Sequence, residues 1–224
     1  MIKKKFNLII LGPAGSGKGT QAHLLVKEFN MKTIEMGELV RGAAKEKTEQ
    51  AKLISWMRDV GMHFSDDFIL NLFEKKIKKI NKKQSLLVDG YPRTAGQAWD
   101  LQKLLKKYYK NRLSLAILIK VSDKEALKRL LNRSICSKCG KIFSSRKIKK
   151  CPDCGGLIKV RGYDKNKKAI QKRLDWFHNH VLPAIEFYKQ RKILVQINGK
   201  QSAEKVFQEI LKKIEKKLKS DDYY

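Results

Sequence analysis

Nine residues near the amino terminus restrict this chain more than any others: Gly12-Pro-Ala-Gly-Ser-Gly-Lys-Gly-Thr20. They follow an apolar run, Phe6-Asn-Leu-Ile-Ile-Leu11, and lead into a helical pattern beginning Gln21-Ala-His-Leu-Leu-Val. A strand, a glycine-rich turn carrying a lysine, and a helix, in that order, form a cradle for phosphate. Glycines let backbone N–H groups turn toward phosphate oxygens, and the helix N-terminus adds partial positive charge. Lys18 is then expected to reach the β- and γ-phosphates of a nucleoside triphosphate. Gly15, Ser16, Gly17, Gly19 and Thr20 complete the cradle, with Thr20 or its neighbourhood beside magnesium. Common phosphate loops carry Ser or Thr directly after the lysine, whereas Gly19 intervenes here.

The rest of the chain alternates short apolar runs with helical patterns. Ser85-Leu-Leu-Val-Asp89, Leu115-Ala-Ile-Leu-Ile-Lys-Val121 and Ile193-Leu-Val-Gln-Ile197 read as further strands, with Lys32-Thr-Ile34 as a short fifth. Runs that are continuously apolar suit strands covered on both faces. Ser122-Asp-Lys-Glu125 has the form of a capping box opening a helix with Leu127, Leu130 and Leu131. Ser65 is placed to cap a helix burying Phe68, Ile69, Leu72 and Phe73. Ser202 is placed to cap one carrying Val206, Ile210, Leu211 and Ile214. This order predicts an α/β fold, a parallel sheet of the P-loop NTPase type with helices on both faces. Two stretches, about 35–64 and 134–162, fit the sheet pattern poorly and read as inserts at the rim of one core. The tail, Ser220-Asp-Asp-Tyr-Tyr224, is expected to fray.

A chain of 224 residues, 42% of them hydrophobic, can bury one substantial core. No stretch approaches the roughly 20 apolar residues that span a bilayer. The start, Met1-Ile-Lys-Lys-Lys, superficially suggests a signal peptide, but its apolar run is short and leads into the glycine loop. The expectation is a cytoplasmic protein without a membrane partner. The net charge of +29 raises the question of a nucleic-acid partner. Of the 51 basic residues, 41 are Lys and 10 are Arg. Lys is the usual solvent-facing charge, and it recurs here on helical surfaces such as Lys75-Lys76-Ile77-Lys78-Lys79. The charge is therefore read as a solvated surface, and each Arg becomes more informative.

All four cysteines lie between 136 and 154. Cys136-Ser-Lys-Cys139 and Cys151-Pro-Asp-Cys154 form two CxxC pairs, each followed by glycine and separated by eleven residues. Without an export signal, this spacing points to a tetrahedral structural zinc site more than to disulfides. Iron is the alternative ion. Four thiolates on one ion leave no open position for a catalytic water, so the metal would stiffen a small insert.

A second segment, Asp89-Gly-Tyr-Pro-Arg-Thr94, closes one of the predicted strands. An acidic residue there can hold magnesium through water, Arg93 can fork onto a phosphate, and Gln97 can meet a base edge. Taken with the loop at 12–20, this segment makes the chain resemble the adenylate kinase family. The resemblance continues through Met36-Gly-Glu-Leu-Val-Arg41, Lys128-Arg129…Arg133 and Lys172-Arg173-Leu174. It implies ATP and AMP as partners, giving two ADP, with magnesium accompanying ATP, in what is often a monomer. It also implies three parts: a core of 1–34, 65–132 and 163–224, an acceptor insert at 35–64 and a zinc-ribbon-like lid at 133–162.

The resemblance further implies roles by position. The acceptor site would comprise Met36, Arg41, Met62, His63, Phe64, Gly90, Tyr91, Pro92, Arg93 and Gln97, with Arg161 and Arg173 at its phosphate. Arg129 and Phe143 would lie at the donor adenine, and Lys200 would join the ATP site. Arg133, Arg161 and Arg173 would join Lys18 and Arg93 around the transferring phosphoryl, and Asp89 would hold magnesium through water. Phosphoryl transfer needs charge stabilisation and alignment more than a strong base, so His23, His63, His178 and His180 are read as surface or helix residues.

Two departures stand out. Met36 occupies a place where the family usually has Thr near the acceptor base, and it cannot donate a hydrogen bond. The acceptor therefore stays open between AMP and a pyrimidine or broader range. Arg161-Gly-Tyr-Asp164-Lys165 is one residue longer than the family's lid segment and has one carboxylate fewer. A zinc-ribbon nucleic-acid-binding ATPase would account for the charge and the cysteines, but it leaves Gly90–Arg93 and the Arg set unexplained.

Overall fold

The computed structural model describes residues 4–60, 64–110, 112–160, 162–164 and 166–219. The chain begins with β1 (Asn7–Leu11), α1 (Lys18–Phe29) and β2 (Lys32–Glu35). Three helices follow, α2 (Met36–Ala43), α3 (Glu49–Val60) and α4 (Asp66–Lys79). Then come β3 (Leu86–Asp89), α5 (Ala95–Tyr108), β4 (Ser114–Lys120) and α6 (Asp123–Asn132). Three short strands come next, β5 (Ser134–Cys136), β6 (Ile142–Phe143) and β7 (Ile158–Lys159). The chain ends with α7 (Lys167–Trp176), α8 (Leu182–Gln190), β8 (Leu194–Asn198) and α9 (Ala203–Lys219).

Five strands make one sheet in the order β2-β3-β1-β4-β8, and every pairing in it is parallel. These are the five runs expected from the sequence, displaced by no more than a residue or so at their ends. Successive side chains on a strand point to opposite faces, so both faces need cover. On one face Ile9, Leu11, Val88 and Leu118 pack with Phe73 of α4, Leu101 of α5 and Tyr188 of α8. On the other, Leu8, Ile10, Leu87 and Ile117 pack with Leu25 of α1 and Phe207, Ile210 and Ile214 of α9. A smaller cluster joins Ala126 and Leu130 of α6 to Ile170 and Leu174 of α7.

The caps follow the sequence. Ser65, Ser122 and Ser202 each accept a hydrogen bond from the backbone N–H three residues on, at 3.3 Å. Thr94 and Asn166 do the same for α5 and α7. α2 and α3 do not build a core of their own, since Met36, Val40, Ala43 and Ile54 belong to the main apolar cluster. β5, β6 and β7 are different: they form a separate antiparallel sheet in the order β6-β5-β7. Among the described residues no helix is long and apolar enough to cross a membrane. The tail at 220–224 lies outside the described residues.

Candidate active site

The glycine loop leaves the carboxyl end of β1 at the centre of the sheet, where parallel strands leave a crevice. Lys18 is the first residue of α1, and Gly17 precedes it with a left-handed backbone. A side chain at Gly15 would begin 2.8 Å from the Ala126 carbonyl and 3.1 Å from Leu130. The loop is thus pinned from behind by α6, and Gly15 also has φ +82°. The Lys18 ammonium donates to the carbonyls of Gly12 at 2.7 Å and Pro13 at 2.8 Å. Burial lowers its pKa to about 8; Asp89 acts against that, while Arg173, Arg93 and Arg133 reinforce it. The Lys18 ammonium therefore feels three guanidinium groups and one carboxylate, drawn from three other stretches of sequence.

Asp89 ends β3, and burial raises its pKa, with Lys18 pulling the other way. It lines a cleft of about 200 Å³ with Gly19, Thr33, Glu35, Glu38 and His23 among its walls. Tyr91 and Pro92 are buried, and Tyr91 packs on Phe73 with ring centroids 4.9 Å apart. Arg93 Nε donates to the Gly90 carbonyl at 3.0 Å, and its backbone N–H donates to Gln97 Oε1 at 2.7 Å. Gln97 Nε2 donates to Asp66 Oδ1 at 2.6 Å, and the Thr94 hydroxyl also donates to Asp66. Asp66 thereby orients the Gln97 amide, a role not evident from the linear sequence, where it lies 31 residues away.

Met36 is buried in the main core, and its Cβ lies 3.6 Å from where a side chain at Gly90 would begin. Arg41 pairs with Glu35 at 3.3 Å, both half exposed. Phe64 is partly buried against the core and tilts onto Phe68 at 5.1 Å. Met62 and His63 lie outside the described residues.

A fully buried carboxylate organises the opposite side. Asp164 accepts from Arg133 Nε and Nη2 at 3.0 and 2.6 Å, and from Arg173 Nη1 at 2.7 Å. The Arg146 guanidinium donates to the Asp164 backbone carbonyl at 2.7 Å. Sequence reading noted one carboxylate fewer at 161–165; the one that remains holds two guanidinium groups together. Its signal was its isolation, as the only acidic residue between Asp153 and Asp175. Arg161 lies outside the described residues.

Arg129 donates to Glu125 at 2.6 Å and to the Gly199 carbonyl at 2.8 Å. Beside it a cleft of about 270 Å³ is lined by Lys120, Val121, Ser122, Asn198 and Lys200. Phe143 stands in β6 next to Ile142, which comes within 3.7 Å of where a side chain at Gly19 would begin. The small sheet therefore reaches over the phosphate loop. His23, His178 and His180 are all exposed, and His178 pairs with Asp123 at 3.0 Å.

At the far side of that sheet the four cysteine Sγ atoms all lie within 4.8 Å of one another. Cys136 and Cys154 are 3.5 Å apart, and Cys139 and Cys151 are 3.7 Å apart. Four thiolates about 2.3 Å from a zinc ion stand roughly 3.8 Å from each other in a tetrahedron, so the donor set suits one. The backbone N–H groups of Lys138 and Cys139 point at Cys136 Sγ at 3.4 and 3.5 Å. The Cys139 N–H is the main influence bringing the Cys136 thiol down to about 6, against burial.

Comparison with known proteins decides what this arrangement belongs to. The family model described as "Adenylate kinase" matches residues 10–193. The chain belongs to the adenylate kinase family. An adenylate kinase of Treponema denticola is 35% identical over 205 residues, covering 89% of this chain and 95% of that protein. One of Methanothrix thermoacetophila is 34% identical over 94% of this chain and 99% of its own length. One of Elusimicrobium minutum is 33% identical with the same coverage. The chain is thus a nucleoside monophosphate phosphotransferase of the adenylate kinase family, on the parallel-sheet fold expected from its glycine loop.

Asp164 has no exposed surface, whereas the side chains of Arg133 and Arg173 are 15% and 33% exposed. Asp164→Asn keeps the volume and removes the charge that both guanidinium groups share. Breaking a buried pair on one side is costly, and partial exposure of the two Arg moderates it. We expect a loss of about 2 kcal/mol, a fall in Tm of roughly 4–8 °C for a chain of this size. An unchanged melting temperature would remove Asp164 from this role.

Proposed function

We propose that this adenylate kinase family member transfers the γ-phosphoryl group of ATP to AMP, giving two ADP. The observation that carries the reading is the convergence on Lys18 of Asp89, Arg173, Arg93 and Arg133. In a site of low effective dielectric, such preorganised charge stabilises a phosphoryl group in transit far more than it would in water. The loop N–H groups from Gly15 to Thr20 and the Lys18 ammonium hold the donor phosphates. Arg129, Lys200 and Phe143 flank the donor adenine, beside the cleft that Lys200 lines.

Arg93 and Arg41 hold the acceptor phosphate, and Arg41 exchanges Glu35 for it on binding. Gly90, Tyr91 and Pro92 wall this pocket. Met36, buried in the core, offers its base no donor, so base reading falls to Gln97 and to the backbone of 62–64, with Phe64 beside it. Arg133, Arg161 and Arg173 gather around the transferring group. The cleft that includes Asp89 also has Glu35 and Glu38 in its walls, and Asp89 would hold a hydrated magnesium ion there through water. Magnesium bound with ATP supplies charge neutralisation and alignment of the phosphate oxygens.

Residues 35–64 and 133–162 are read as the two parts that close over the substrates. Closure excludes the water that would otherwise hydrolyse ATP. The reach of Ile142 over Gly19 and the grip of Asp164 on Arg133 and Arg173 support this, since they tie the lid to the phosphate site. That the relatives are adenylate kinases supports AMP as acceptor. A panel of AMP, CMP, UMP and GMP tests it: AMP should give the highest kcat/KM by about tenfold or more, and a pyrimidine acceptor outrunning AMP would overturn the reading.

Lys18 must be protonated to meet phosphate, and its pKa in the folded enzyme lies at about 8, mainly through burial. A depressed lysine loses its proton as pH rises through that value. Since kcat/KM reports the free enzyme, its value for ATP should be level below about pH 7.5. Above about pH 8 it should fall toward tenfold per unit. A level profile to about pH 9.5 would contradict the role given to Lys18.

We assign the cysteine cluster to a structural zinc ion. A side chain at Gly156 would begin 2.7 Å from Cys136 Sγ and 2.7 Å from Lys138 Cβ. Metal analysis of the purified protein should find about one equivalent of zinc, and Gly156→Ala should lose roughly half of it or more. A native protein free of zinc would refute the assignment.

A further inference from the structure

We propose that Trp176 is a positioning residue for Arg93, holding its guanidinium by the ring face at the angle at which it meets the acceptor phosphate. The inference rests on the assignment of Arg93 to that phosphate. Trp176 is the last residue of α7 and follows Arg173 by three positions, so the two side chains leave neighbouring points of one helix face. Arg173 turns to Asp164, 2.7 Å away. Trp176 turns to Arg93, whose Cζ lies 5.6 Å from the ring centroid. That is within the distance of about 6 Å at which a cation is drawn to an indole face.

The geometry suits orientation more than affinity by charge. All guanidinium N–H groups lie in its plane, so a contact through the face uses none of them. Arg93 Nε donates to the Gly90 carbonyl at 3.0 Å. The Gly90 carbonyl and the indole ring thus hold the group from two sides. The Arg93 side chain is exposed, and an exposed Arg of this length samples many rotamers unless contacts hold it.

The ring is itself held. Trp176 packs against the main apolar cluster. The His180 ring lies parallel to it, with centroids 4.7 Å apart and planes 8° from parallel. His180 Nδ1 is 3.1 Å from the Trp176 carbonyl. Directly after Trp176 the helix changes from α to π over Phe177–Val181. Such π turns are uncommon and often occur at functional sites. Here the irregular turn carries the histidine that backs the tryptophan.

The test compares Trp176→Phe, which keeps an aromatic face, with Trp176→Leu, which keeps apolar bulk alone, each also in an Arg93→Ala background. Trp176→Leu should raise the KM for AMP by about five- to thirty-fold with the KM for ATP unchanged. Trp176→Phe should retain most of the native value, and neither change should matter once Arg93 is Ala. Equal behaviour of Phe and Leu, equal effects on both substrates, or an undiminished effect in Arg93→Ala would each overturn the proposal. Arg93→Ala with a native KM for AMP overturns the assignment of Arg93 instead, whereas a damaging Arg93→Ala beside a silent Trp176→Leu overturns only the positioning role.

A second measurement does not depend on Trp176→Leu folding. With Trp56 and Trp99 both replaced by Phe, Trp176 is the single remaining tryptophan. Its emission should change saturably on adding AMP alone and should not respond when Arg93 is Ala. An emission unmoved by AMP, or moved equally without Arg93, overturns the contact.

Discussion

The Lys18 ammonium donates to the carbonyls of Gly12 and Pro13 from a place where burial and three guanidinium groups all disfavour its charge. Asp89 is the main counterweight, and burial disfavours its own charge as well. Such a cluster persists only because the surrounding structure holds it rigidly. The supports are the central strands β1 and β3, buried on both faces, and α6, packed hard against Gly15. In the proposed mechanism a polyanionic phosphate chain relieves the imbalance, so the electrostatics of the site and its chemistry are two aspects of one arrangement.

The guanidinium groups reach that point by different means. Arg133 and Arg173 are tied to each other through Asp164, a buried carboxylate with both oxygens engaged. Arg93 is set by a backbone carbonyl and an aromatic face. Arg41 is paired with Glu35, and both are half exposed, so that contact is readily exchanged. In the proposed mechanism Arg133 and Arg173, held on Asp164, belong to the transferring phosphoryl, whereas Arg93 and the readily exchanged Arg41 belong to the arriving acceptor. The cysteine cluster begins at the end of β5, where a bound ion would stiffen the small sheet that carries Ile142 and Phe143 over the loop.

Much of this was legible in the linear sequence, wherever the cause is local. The glycine loop requires no partner to be recognised, because its backbone freedom and its lysine lie within nine residues. The strands announce themselves as continuous apolar runs, and the caps at Ser65, Ser122 and Ser202 are three-residue hydrogen bonds. The two CxxC pairs carry their geometry in their spacing. Asp66 was less visible, because it orients Gln97 from a different helix. Asp164 read as one of a missing pair, since nothing in 161–165 reveals that two distant Arg converge on it. His180 read as a surface or helix residue, and neither its stacking on Trp176 nor the π turn that follows left a pattern.

The sequence by itself determined the chemistry available: a phosphate cradle, a sparse set of arginines, a four-thiol cluster and a sheet to carry them. Those properties depend on residue type and short spacing, which a linear chain states outright. Only the tertiary structure decided how the charges are arranged. It brought Arg93, Arg133 and Arg173 to one lysine and chose Asp164 and Trp176 as the groups that aim them. Electrostatics and ring contacts act over a few ångströms of space, and separation along the chain does not report that distance.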